Sequence, residues 1–224
     1  MKLSNETLSV LQNFATINAG IKFKKGTILS TVSPSKSVLA EATLTDTFTD
    51  EYCVDDLHKF LSVHSLFKDK PELVSENENI IFKNGRSKIV YRKTAENQVV
   101  LPPEKTLTLP SKDVTFTFTD EDYAHIMKTA KVLSSPHVAF QSDGDSVQVV
   151  TFDAAVDSAD INSLELGEGN GKQYKVVFDI NNLKMIPGTY EVVICFKGFA
   201  HFKNTKANVQ YWIAFESKYT KTKD

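Results

Sequence analysis

Three prolines fall within ten residues near the middle of the chain, in Leu101-Pro102-Pro103-Glu104-Lys105-Thr106-Leu107-Thr108-Leu109-Pro110. Each removes a backbone donor and fixes φ, so this stretch can neither continue a helix nor lie in the middle of a sheet. It reads as an extended connector. On either side lie roughly a hundred residues with one plan: an amphipathic helix near the start, alternating strand-like runs, a second short helical stretch, and more strands. A chain of 224 residues is long enough for two such units, each burying its own core. The expected organisation is therefore a first domain at 1–100, a connector at 101–110 and a second domain at 111–224.

In the first half, Ser4 is placed to cap a helix that turns Leu8, Leu11, Phe14 and Ala15 to one side and Asn5, Ser9, Gln12 and Asn13 to the other. The runs IKFKKGTIL and SVLAEATL read as paired strands. Asp55 and Asp56 start a second helix with Leu57, Phe60, Leu61 and Phe67 inward and Lys59 and Ser62 outward, which extends to Lys68. Beyond Pro71 come ELVS, NIIFK and KIVYRK, the last two separated by the hairpin signal Asn84-Gly85.

In the second half, the strand DVTFTF leads to Thr119-Asp120-Glu121-Asp122, a capped acidic helix start. Its helix places Tyr123, Ile126, Met127, Ala130 and Leu133 on one side, with His125 and Lys128 facing away and Lys131 on the flank. A hairpin is expected over Asp143-Gly144-Asp145, and a short fourth helix over DINNLKM, closed by Pro187-Gly188. The chain ends strand upon strand, in TYEVVICF, FAHFKN and ANVQYWIAF.

Several classes of chemistry find no support. Gly167-Glu168-Gly169-Asn170-Gly171-Lys172 has the wrong spacing for a phosphate loop and no Ser or Thr after the lysine, so it reads as a hairpin loop. Asp143-Gly144-Asp145 lacks the remaining ligands of a calcium loop. Cys53 and Cys195 stand far apart, and His58 and His64 are not at a helical ligand spacing, so no metal site or cofactor is expected. Neither a nucleophile elbow nor a motif-borne acid pair is present, which points away from an enzyme. No window has the length and apolarity of a membrane span, and the N-terminus lacks the order of a signal peptide, so the protein is expected to stay where it is made.

The net charge of −2 argues against a large basic surface that grips nucleic acid. Residues 1–110 carry 14 Lys or Arg against 13 Asp or Glu, and residues 111–224 carry 12 against 15, so any attraction to DNA must be local. The helices nevertheless share a pattern, with acids confined to their starts and basic or amide faces away from the core. Lys59, Lys68, Lys128, Lys131 and Lys184 stand out, and their ordinary reading is a solvated face whose late lysines complement the helix dipole. If all four helices faced one surface, the same residues would form a weakly basic wall for phosphate contacts without base reading.

The blocks Met1-Lys2-Leu3-Ser4, Leu11-Gln12-Asn13-Phe14-Ala15-Thr16-Ile17-Asn18-Ala19-Gly20-Ile21 and Leu183-Lys184-Met185-x-Pro187-Gly188-x-Tyr190 resemble the sliding clamps of T-even-type bacteriophages, as does the order of elements along essentially the whole chain. That resemblance implies an α+β sliding-clamp fold, related to proliferating cell nuclear antigen, of two similar domains each with helices on one face of antiparallel sheets. It implies a homotrimeric ring around duplex DNA that tethers the replicative DNA polymerase, is opened by an ATP-dependent clamp loader and serves late viral transcription, in the cytoplasm of the infected bacterial cell. By the same resemblance Lys128, Lys131 and Lys184 match basic positions of the inner face. The first helix departs from the pattern, carrying Asn5 and Gln12 where relatives can carry lysine. A partner-peptide pocket is implied in the second domain, for which Leu107, Tyr211 and Trp212 are the candidates, although aromatics in strands read first as core. A ring held by topology needs little charge, which fits the composition. The rivals are a β-rich viral structural or assembly protein and an enzyme whose site is assembled from scattered residues.

Overall fold

The computed structural model describes residues 1–104 and 107–222; Lys105 and Thr106 of the connector and the last two residues lie outside the described residues. The chain divides into two compact units, Met1–Lys105 and Thr106–Asp224.

The first unit runs α1 (Asn5–Ala15), β1 (Ile21–Phe23), β2 (Gly26–Val32), β3 (Val38–Phe48), β4 (Tyr52–Val54), α2 (Leu57–Ser65), β5 (Glu72–Glu76), β6 (Asn79–Asn84) and β7 (Ser87–Arg92). The expected single strand IKFKKGTIL is in fact two. Gly26 sits at φ +110°, a bulge follows it, and the chain changes partner there: β1 pairs with β4 while β2 pairs with β3. β5, β6 and β7 form an antiparallel meander with the hairpin turn at Gly85-Arg86. The core is aromatic. Phe23 lies 5.0 Å from Phe48, 4.8 Å from Tyr52 and 5.7 Å from Phe60, which in turn meets Phe82 at 5.1 Å, so α2 is fixed to strands on both sides of it in sequence. Buried Asn18 donates to the carbonyls of Val32 and Val100, each at 3.0 Å, tying the end of this unit to the loop after α1.

The second unit runs β8 (Val114–Phe118), α3 (Asp120–Val132), β9 (His137–Ser142), β10 (Ser146–Phe152), β11 (Asn162–Glu168), β12 (Tyr174–Asp179), a 3-10 turn at Ile180–Leu183, β13 (Tyr190–Cys195), β14 (Phe199–Asn204), β15 (Val209–Ala214) and β16 (Lys221–Thr222). One antiparallel sheet has the order β11-β10-β9-β12-β16, and β8, β13, β14 and β15 pair in that order in another. The glycine loop packs against the Asp143 turn: Gly169 N–H donates to the Asp145 carbonyl at 2.6 Å, and a Cβ on Gly169 would stand 2.2 Å from the Gly144 oxygen. These glycines therefore permit a backbone-to-backbone approach, which explains them without a phosphate ligand.

His64 packs inward on α2 with Leu57 and Phe60, and its Nε2 meets no hydrogen-bond partner among the described residues. Burial, with a contribution from Lys70, holds the imidazole below its ordinary range, so the folded state keeps it neutral. The unfolded chain takes up the proton more readily, so this contribution to stability is intact above about pH 6.5 and declines as pH falls toward the folded value. His201, also depressed by burial, acts in the same direction. Denaturant midpoints are expected to drop between pH 7.5 and 5.5, with a smaller drop in His64→Gln; equal slopes in the two proteins would refute the assignment.

Candidate nucleic-acid interface

Helix starts fix the orientation of the polar faces. Ser4 Oγ accepts from Thr7 N–H at 3.1 Å while Asp46 accepts from Ser4 N–H at 2.6 Å, which anchors α1 to β3 at its first turn. The buried face is Thr7, Val10, Leu11, Phe14 and Ala15, leaving Asn5, Ser9 and Gln12 exposed. Leu8 is only partly buried, so the buried stripe is displaced from the expected one toward Thr7 and Val10. In α2, Asp56 caps by accepting from Lys59 N–H at 2.8 Å, and His58, Lys59, Ser62 and Ser65 are exposed. α1 and α2 pack together, so their polar faces belong to one unit. Lys59 Nζ lies 5.6 Å from the ring centre of Tyr91, within cation–π range.

α3 opens with a complete capping box between Thr119 and Asp122 and carries Asp120, Glu121 and Asp122 in its first turn. Tyr123, Ile126 and Ala130 face inward, and His125, Lys128 and Lys131 are exposed. The charge gradient along α3 is what the helix dipole favours, at roughly 0.3 to 1 kcal/mol per group. It also leaves Lys128 and Lys131, three residues apart and hence neighbours on the surface, with no ion-pair partner among the described residues.

Two of the expected lysines sit elsewhere. Lys68 lies beyond α2, which is capped at Leu66, in the turn that leads through Pro71 into β5. Lys184 is exposed but caps a four-residue 3-10 turn in place of the expected fourth helix. The cause is Tyr123: its buried hydroxyl accepts from Met185 N–H at 3.1 Å and donates among the carbonyls of Leu183 and Met185 at 2.9 and 3.0 Å, drawing off backbone groups that would extend the helix. The same bonds bind the Lys184 turn to α3. Sequence reasoning read Tyr123 as core only; a tyrosine where phenylalanine would fill the volume was the available signal.

The three pocket candidates do not converge as a set. Tyr211 is fully buried against Tyr190 and accepts from Ile186 N–H at 3.1 Å, whereas Trp212, the next residue, points to the opposite face of β15 and stacks on His201 at 4.9 Å. Leu107 is 38% exposed. Among the described residues no group of His, Cys, Asp and Glu could hold a metal, and no helix is long and apolar enough to cross a membrane.

The sequence profile of the DNA polymerase processivity factor family matches residues 4–101. Over 228 aligned residues the chain is 31% identical to the sliding clamp of Enterobacteria phage T4, covering 98% of this chain and 99% of that protein. The chain belongs to the sliding-clamp family. The clamp of Escherichia phage RB69 is 28% identical over the same share of both chains. Solved structures agree in fold. The proliferating cell nuclear antigen of Entamoeba histolytica superposes with a TM-score of 0.67 at 13% identity over 93% of this chain and 94% of its own, and the DNA polymerase III β subunit of Pseudomonas aeruginosa gives 0.67 at 14% over 93% and 61%. As a processivity factor, the family member described here is not an enzyme. The rival reading as a structural or assembly protein is displaced by this full-length match.

Proposed function

We propose that this clamp closes into a homotrimeric ring around duplex DNA, is opened and closed by an ATP-dependent loader, tethers the replicative DNA polymerase and serves as a platform for late viral transcription, in the cytoplasm of the infected bacterial cell. One observation supports the ring: among the edge strands of the described residues, two are open and opposite in charge. In the meander, the outer edge of β5 is occupied, because the Met1 ammonium donates to the Leu73 carbonyl and Leu73 N–H to the Met1 carbonyl, both at 2.7 Å. β7 is the edge left open, with Lys88 and Arg92 exposed on either side of Val90, itself 55% exposed. In the five-stranded sheet β16 covers one side, and β11 is the open edge, with exposed Glu165 and Glu168 and, just before it, Asp160 and Ile161. A basic edge beside a second basic edge is repulsive, so the favoured contact is β7 of one copy with β11 of the next. That contact is heterologous and closes into a ring when the rotation allows.

DNA contact in this reading is weak and sequence-independent. Retention comes from encirclement, so the phosphate contacts of Lys59, Lys68, Lys128, Lys131 and Lys184, with the amides of Asn5 and Gln12, need only guide the duplex. The expected result is a solution species near three times 25.0 kDa. Lys128→Ala with Lys131→Ala should keep that mass while shortening loader-dependent synthesis on long templates severalfold at moderate salt. Unchanged product length, or a wild-type monomer at micromolar concentration, would defeat the reading.

A further inference from the structure

The last strand of the second unit, β16, is two residues long and pairs with β12 at two positions, Tyr174 with Thr222 and Lys175 with Lys221. Directly opposed residues of an antiparallel pair point to the same face of the sheet, so two ammonium groups stand side by side there and oppose the pairing. On its other side Lys175 faces the uncharged Gln141 of β9. Lys175 is partly buried and reaches along the sheet until its Nζ lies 4.1 Å from the ring centre of Phe152. The ring face attracts a cation, but no carboxylate completes the site. Among the described residues neither Lys175 nor Lys221 has an ion-pair partner, and Asp153, which borders the same cavity, accepts from Ala155 N–H at 2.8 Å instead. Burial first, and Lys221 second, push the Lys175 amine below its ordinary range. More of it is therefore unprotonated near neutral pH than of an ordinary exposed lysine. The amine is also within reach of small molecules, because it lines a cavity of about 440 Å³ between the loop after β10 and the chain before β16, with Phe152 and Tyr219 as its apolar lining.

We propose that Lys175 is an acylation site, whose ε-amine takes a short acyl group from a thioester, and that the resulting amide fastens β16 to the edge of β12. In the transfer the unprotonated Nζ attacks the thioester carbonyl, a C–N bond forms and the C–S bond breaks. The nitrogen's surplus proton passes to the departing sulfur, so the by-product is a thiol. The product amide is neutral. It removes one of the two charges opposed across β12 and β16, and its acyl group lies against Phe152, where burial of apolar surface is favourable and burial of an ammonium is not. Asp153 and Asp157, which border the cavity, select among donors: they repel an acyl phosphate, charged next to its reacting carbonyl, and not the uncharged reacting end of a thioester. Lys218 and Lys221 border the same cavity but are exposed, so they lack the burial that frees the Lys175 amine of its proton.

The test treats the full-length protein with S-acetyl-N-acetylcysteamine, an uncharged thioester, and follows each lysine by peptide mass spectrometry between about pH 6.5 and 9. Near neutral pH, Lys175 should be acetylated about fivefold or more faster than Lys218 or Lys221. Lys221→Glu, which sets a carboxylate opposite Lys175, should slow that reaction severalfold, and Lys221→Gln should slow it less. Hydrogen exchange at the β16 amides should become severalfold slower in the acetylated protein and in Lys175→Gln, which also lacks the charge. Thermal melts verify that each variant is folded, and the ranking of lysines in the unaltered chain needs no variant at all. Lys175 reacting no faster than the exposed lysines, a rate indifferent to Lys221→Glu, or β16 exchange unchanged by acetylation would each overturn the proposal. A stronger preference for Lys175 with acetyl phosphate than with the thioester would overturn the choice of donor.

Discussion

Reversing the β7 edge by Lys88→Glu with Arg92→Glu should turn the proposed ring into monomers at concentrations where the unaltered chain is assembled. Both side chains are exposed on a strand whose outer backbone groups are unpaired, and the proposed facing strand carries Glu165 and Glu168. Cross-strand pairs of this kind contribute roughly 0.2 to 1 kcal/mol each when opposite in charge and cost a similar amount when alike. Two reversed pairs therefore swing one interface by about 1 to 4 kcal/mol, and a ring of three repeats that change at every contact. Loader-dependent synthesis should fall to the level of polymerase alone, because encirclement is lost with closure. Sedimentation velocity of the double variant reads the mass directly. Adding Glu165→Lys with Glu168→Lys to the reversed chain should restore the assembled species, a rescue that general destabilisation cannot imitate. An assembled double variant at low salt would remove β7 from the interface.

How far this edge was legible in the sequence depends on the distance over which its causes act. KIVYRK and Asn84-Gly85 announce a hairpin strand, and the basic residues can be counted. That β7 is the open edge of the meander follows from Met1 bonding to Leu73, a contact spanning 72 residues, and that β11 is the open edge of the five-stranded sheet follows from β16 returning to β12 at the far end of the chain. Helix starts were legible for the opposite reason: Ser4, Asp56 and Thr119 act within three residues of themselves. Helix ends were harder. The expected helix over DINNLKM shrinks to Ile180–Leu183 because a hydroxyl 62 residues away takes up the backbone of Met185, and no local periodicity encodes that. The pairing of Tyr211 with Trp212 in one pocket is a different case, since alternation along a strand already sends neighbours to opposite faces.

Phe140→Ala should be the most damaging single core change in the second unit. The side chain is fully buried and meets Phe116 at 5.1 Å, Phe118 at 5.3 Å, Phe178 at 5.9 Å and Phe202 at 6.2 Å. Those rings belong to β8, β12 and β14, so Phe140 joins the five-stranded sheet to the other sheet of the same unit, and a void there is bounded by strands that cannot collapse without breaking register. Truncation of a buried phenylalanine costs about 3 to 5 kcal/mol, set against a total of about 5 to 15 for a typical domain. The damage reaches the proposed DNA-facing surface as well: Phe118 packs edge-on against Tyr123 at 6.1 Å, and Tyr123 holds both α3 and the Lys184 turn. Hydrogen exchange should therefore show the loss of protection spread over the second unit and α3, with the aromatic core around Phe60 in the first unit retaining its protection. A cost below about 1 kcal/mol, as at a site that repacks freely, would mean that the two sheets are joined through other contacts and that Phe140 only fills space between them.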